Sequence, residues 1–141
     1  MTSAHDQLNS IIGSAGVLVG TVETSCSTQN GELVDVLWEG STAPGGDALN
    51  LGSFRCINLG RDAQHCDRGQ IFLNTNLLVL PVALRPKAAC HELGHSFGAH
   101  HSAGDHCMST SSNPAASYAV HEVEHFRAWA AANPAPHPRV K

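Results

Sequence analysis

The chain has 141 residues, of which 42% are hydrophobic and only 14% charged, with a formal net charge of −4. Those figures suit one globular domain and argue against disorder or two full domains. Eight scattered Lys and Arg make no basic stripe for nucleic acid or anionic lipid, and no apolar run reaches the ~18–20 residues of a membrane helix.

In chain order, residues 3–12 read as a short helix, with Ser3 as cap and Leu8, Ile11 and Ile12 on one face. Gly13 and Gly16 end it. Residues 17–24 are rich in β-branched side chains and read as a strand. Asn30-Gly31 signals a turn. Residues 33–38 alternate as a second strand, 40–47 are loop, and 54–59 are a third strand. A polar loop bounded by Cys56 and Cys66 comes next, and then a fourth strand over 71–73 within GQIFLN. The apolar run 77–84 fits helix or strand. Pro86 suits the first residue of a helix running to about 98. Residues 102–116 are loop, and Ser117 can cap a last helix that ends near Asn133-Pro134. A single domain over 1–133 with a frayed Pro-rich tail over 134–141 is expected.

Ten His and five Cys are unusual for this length. No CxxC spacing points to a cysteine zinc site. A Cys56–Cys66 bridge would close a small loop and favour an exported protein, whereas five buried thiols would suit a reducing compartment. Residues 1–6 lack the basic start and apolar core of a signal peptide.

The chemistry concentrates in residues 91–101, HELGHSFGAHH. His91 and His95 are one turn apart on one face of the expected helix, a spacing that lets two imidazoles hold one ion. Glu92 lies beside them, and Leu93, Phe97 and Cys90 fall on the core side. Gly98 can stop the helix in a left-handed turn, which returns His101 to the same ion. Three neutral imidazoles would leave a fourth tetrahedral position for water. Zinc there would acidify the water, Glu92 would act as general base, and the metal would polarise a scissile carbonyl. His91-Glu92-x-x-His95 alone is a weak signal in so His-rich a chain; Gly98 and His101 make it specific.

A second H-E-x-x-H, His121-Glu122-Val123-Glu124-His125, lies on the last helix. There Ala119, Val123, Phe126 and Ala130 form the expected buried stripe, which puts His121 and His125 on the solvated side. Position 131, where a third His would fall, is Ala. This copy reads as a polar helix face.

Residues His91 to His101, with Met108 seven residues later, resemble the metzincin superfamily of zinc endopeptidases, nearest its matrixin and snapalysin branches. The resemblance implies a small α+β domain: a twisted mixed sheet with an active-site helix and a C-terminal helix. Residues 33–40 resemble the central strand, 54–59 the antiparallel edge strand that pairs with substrate, and 69–74 the strand before the catalytic helix. By position it implies His91, His95 and His101 as ligands of one catalytic zinc, Glu92 as general base, and Met108 in the methionine turn beneath the metal. The strand that usually precedes the first metzincin helix has no counterpart. No Tyr stands two residues after Met108, so no tyrosine ligand is expected, and no calcium loop is recognisable. Cys107 can pair with Cys90 beneath the site, or Cys90 can be a buried thiol. His100 competes with His101, which the spacing favours. Asp105 and His106 read as solvated loop, and Tyr118 as a helix-packing residue.

The function expected is therefore a secreted, monomeric zinc metalloendopeptidase acting on extended peptides, without nucleic-acid or membrane partners. The alternatives are a non-catalytic zinc-binding module and a His-rich metal-binding protein.

Overall fold

The computed structural model describes residues 6–7, 10–11, 36–40, 51–59, 66–73 and 81–132. The strand expected over 17–24, the turn at 30–31, the loop 40–47 beyond Gly40 and the tail 134–141 lie outside the described residues, as do most of helix 3–12 and residues 77–80. Positions 6, 7, 10 and 11 are helical.

Three strands form one sheet: β1 (Val36–Gly40), β2 (Gly52–Leu59) and β3 (Cys66–Leu73). Their order is β1-β3-β2, with β1 parallel and β2 antiparallel to the middle strand. The sheet is mixed, as expected, and the antiparallel strand stands at the end of the described order. β3 begins at Cys66, earlier than the apolar residues alone suggest, because its polar start pairs with the far end of β2 across a bulge. In β2 the alternation is visible: Phe54 and Cys56 are half-buried, whereas Arg55 and Ile57 are exposed. Gly69 is buried, and a Cβ there would collide with the Phe54 ring, so the aromatic packs against a bare stretch of β3.

The backbone does not suit the expected Cys56–Cys66 bridge. Cys56 lies opposite Gly69 and Cys66 opposite Leu59. The two cysteines are therefore offset by about 10 Å along the ladder, beyond the reach of a disulfide. Cys56 is nevertheless disulfide-bonded.

After the sheet come two helices, α1 (Leu84–Ser96) and α2 (Val120–Ala132). α1 starts two residues before Pro86. Leu84 N–H bonds to Pro81 O at 2.9 Å, closing a tight turn that feeds the helix, and Pro86 is tolerated because the first turn needs no intrahelical N–H. α1 packs across β2 and β3 and is buried almost all round, including Glu92, Gly94 and Ser96. This corrects the two-faced helix expected from sequence: the sheet covers one side, and Cys107, Met108 and Tyr118 pack against another. The core gathers Ile71, Leu93, Phe97, Met108, Tyr118 and Phe126. Ile71, Met108 and Phe126 are 0% exposed, each contributing roughly 1.5–3 kcal/mol by burial.

On α2 the buried stripe is Glu122, Phe126 and Ala130, rather than Ala119, Val123, Phe126 and Ala130. Ala119 and Val123 are only half-buried. Phe126 stacks edge-on with Tyr118 and Phe97, at ring distances of 4.9 and 5.9 Å, and Trp129 with Phe97 at 5.1 Å. No described helix is long and apolar enough to cross a membrane.

Candidate metal centre

His91 and His95 stand one turn apart on α1, and the chain after the helix brings His101 to them. The bend is a Schellman motif: Ala99 N–H bonds to Gly94 O and Gly98 N–H to His95 O, both at 3.0 Å. Gly98 has φ +80°, a conformation that side-chain-bearing residues rarely adopt. Gly98 thus acts as expected, and the three rings face one another with centroids 4.7, 4.9 and 5.0 Å apart.

The partners of each ring set its protonation. His91 Nδ1 is 2.7 Å from Cys107 O, and His95 Nδ1 is 2.8 Å from Ala99 O. A carbonyl only accepts, so each Nδ1 carries the proton and donates it. Each Nε2 is then a bare lone pair when the ring is neutral. Burial, the leading cause, pushes His91 down to about 4 and His95 in the same direction, with neighbouring imidazoles adding to both shifts. Even so, His95 Nε2 lies 3.1 Å from His91 Nε2, which in turn lies 3.0 Å from His101 Nε2. Two lone pairs aimed at each other at that range repel unless a cation lies between them. A tetrahedral ion bonded at ~2.0–2.1 Å would hold its nitrogens about 3.3 Å apart. The residues therefore fit a metal ion, and all three ligating nitrogens lie within 4.8 Å of one another. Among the described residues no other His, Cys, Asp and Glu grouping has this property. His100 is exposed and outside the group; His101 is the third member, as the spacing predicts.

The support beneath the triad is covalent as well as packed. Cys90 and Cys107 form a disulfide with Cα atoms 5.8 Å apart. It joins the residue before His91 to the residue whose carbonyl orients His91. Met108 lies next in a turn closed by Ser109 N–H to His106 O at 3.2 Å. Its thioether presses on Gly94, where an added Cβ would collide with the sulfur. Gly94 is thus kept bare between the two helical ligands so that Met108 can approach. Tyr118 is a packing residue whose hydroxyl donates to Cys90 O at 2.8 Å; burial raises it far above the ordinary phenol range.

Glu92 is 6% exposed, and no hydrogen bond to its carboxylate occurs among the described residues. Burial alone raises it to about 7. A group that titrates near neutrality can exchange a proton with a reacting water or amine. An open cavity of about 540 Å³ begins at His101 and is walled by 102–105 and 109–111.

Several supporting residues carry no signal that the sequence makes readable. Lys87, one turn before His91, is buried and donates Nζ to Ser111 O, tying the cavity wall to α1. Glu122 is 3% exposed. Its Oε2 accepts Ala119 N–H at 2.6 Å, half of a capping box, and its Oε1 accepts the Ser102 hydroxyl at 2.8 Å. His106 is buried beside it, not solvated: Nε2 donates to Ala103 O at 2.9 Å, and Nδ1 faces Glu122 Oε1 at 3.3 Å without hydrogen-bond alignment. Thr or Ser at an N-cap with Glu three residues on is a readable helix start, but Ala119 hides it. In the second H-E-x-x-H, His121 and His125 are exposed as expected, and His125 Nε2 donates to Phe97 O at 3.1 Å.

No known protein family, curated protein or solved structure matches the chain. The site is therefore read from its own geometry.

Proposed function

We propose that this chain is a zinc metalloendopeptidase of the metzincin kind, with His91, His95 and His101 holding the metal and Glu92 as the proton carrier. The observation that carries this reading is the pair of Nδ1–H groups spent on Cys107 O and Ala99 O, which leaves the Nε2 lone pairs of His91 and His95 3.1 Å apart, with His101 Nε2 3.0 Å from His91 Nε2. A set of three imidazoles, with no thiolate or carboxylate in it, suits zinc with one open position. When bound, zinc supplies a Lewis acid that acidifies water and polarises a carbonyl.

This chain's residues would do the rest. Glu92 takes a proton from the attacking water and passes it to the departing amine, and its burial matches that task at neutral pH. His91 and His95 stay neutral and oriented through their backbone partners. β2 stands at the end of the described strand order, where an extended peptide can add by main-chain hydrogen bonds. The Cys90–Cys107 disulfide favours export to an oxidising compartment.

Metal analysis after dialysis, paired with cleavage of fluorescein-labelled casein, tests the reading. One zinc per chain and measurable cleavage are expected, with Glu92→Gln keeping the zinc and losing cleavage by at least ~100-fold. A Glu92→Gln protein as active as the parent rules out the mechanism. Several weakly held ions per chain would instead identify a metal-buffering protein.

A further inference from the structure

We propose that Gly52 is a positioning residue for Glu92: the bare backbone at the start of β2 forms the space in which the carboxylate is held. This rests on Glu92 being the proton carrier. A Cβ built at Gly52 would lie 2.8 Å from Glu92 Cγ, 3.0 Å from Glu92 Oε1 and 3.0 Å from Phe72 O. The first contact is closer than real Cβ atoms come, and the other two are tighter than nearly all of them. The glycine is not explained by backbone conformation, because the positive-φ glycines among the described residues are Gly98 and Gly104. Nor does a strand favour it, since glycine in a strand interior costs conformational entropy. Space is the remaining reason.

The neighbours decide which atom would yield. Gly52 pairs with Leu73 at the end of the ladder, so β2 is held to β3. α1 is held by the Cys90–Cys107 disulfide and by the Tyr118 hydroxyl on Cys90 O. Glu92 has no such anchor, because among the described residues no hydrogen bond fixes its carboxylate. Among the described residues packing sets its place, and Gly52 is part of the packing surface. A methyl group at 52 therefore displaces the carboxylate and leaves the three imidazoles, which are fixed by Cys107 O, Ala99 O and Gly98, where they are.

The test compares Gly52→Ala with the parent and with Glu92→Gln. Gly52→Ala is expected to keep one zinc per chain with affinity within about threefold, and to lose at least ~10-fold in kcat on fluorescein-casein with KM unchanged. In the metal-free protein, the infrared carboxyl band that vanishes in Glu92→Gln should shift in Gly52→Ala. A purely structural role for Gly52 would not move that band. Parental kcat and an unmoved band in Gly52→Ala overturn the proposal. If Glu92→Gln remains active, the function reading has failed instead, and the infrared band still decides the contact. Should Gly52→Ala fail to fold, Gly52→Ala/Glu92→Ala decides. Recovered folding identifies Glu92 as the clashing partner, and continued failure assigns the clash to Phe72 O and overturns the proposal.

Discussion

Two helices of this protein carry the same five-residue pattern, and they use it in opposite ways. On α1, His91 and His95 turn toward a common point and Glu92 is buried without a hydrogen-bond partner among the described residues. On α2, His121 and His125 are exposed, and Glu122 is buried but fully engaged with Ser102 and Ala119 N–H. The pattern is common to both, so it does not make the site. The residues C-terminal to it do. After α1 comes Gly98, a backbone bend and a third imidazole; at 107–108 comes a turn that supplies a carbonyl, a disulfide and a thioether from below. Among the described residues α2 is followed by none of these, and its glutamate serves as a helix cap.

The largest effect that can break this contrast is on metal affinity. His101→Ala should weaken zinc binding by more than about 100-fold in chelator competition, whereas His121→Ala and His125→Ala should each stay within about twofold. Comparable losses at all three histidines would erase the distinction between the helices.

The buried carboxylate of α1 also gives the metal-free protein a pH dependence. Glu92 has a folded-state pKa raised from 4.5 to about 7, so the folded state holds that proton more tightly than the unfolded chain. The stability this lends to the metal-free protein is complete below about pH 4.5 and is lost as pH rises toward 7. His91 acts with opposite sign, because its folded value is depressed to about 4, and stability from it grows between about pH 4 and 6.5. Subtracting urea unfolding curves of Glu92→Gln from those of the parent removes the His91 contribution. The difference should fall with pH from 4.5 to 7; a flat difference would mean that Glu92 is not buried as described.

The smallest expected effect concerns the cap. Glu122→Gln keeps the shape of the side chain but weakens its acceptance of Ala119 N–H and the Ser102 hydroxyl. A loss of about 1 kcal/mol in thermal or urea unfolding is expected, with zinc affinity lowered only slightly through the Ser102 end of the His101 loop. No change in stability would remove Glu122 from the account of α2.

Sequence alone determined the parts of this protein that obey local rules. The i, i+4 spacing placed His91 and His95 on one face, and Gly98 supplied the one backbone conformation that ends the helix and returns His101. The strands read over 33–38 by alternation, over 54–59, and over 71–73 within GQIFLN overlap β1, β2 and the end of β3. Tertiary structure decided the rest, because the deciding contacts join residues far apart in the chain. Glu122 is buried because Ser102 and its own helix start satisfy it, and no periodicity records that. Gly52 and Gly94 are bare because Glu92 and Met108 occupy the space beside them. The same long-range packing separates the two copies of H-E-x-x-H, leaving one with converging lone pairs and the other a capped surface helix.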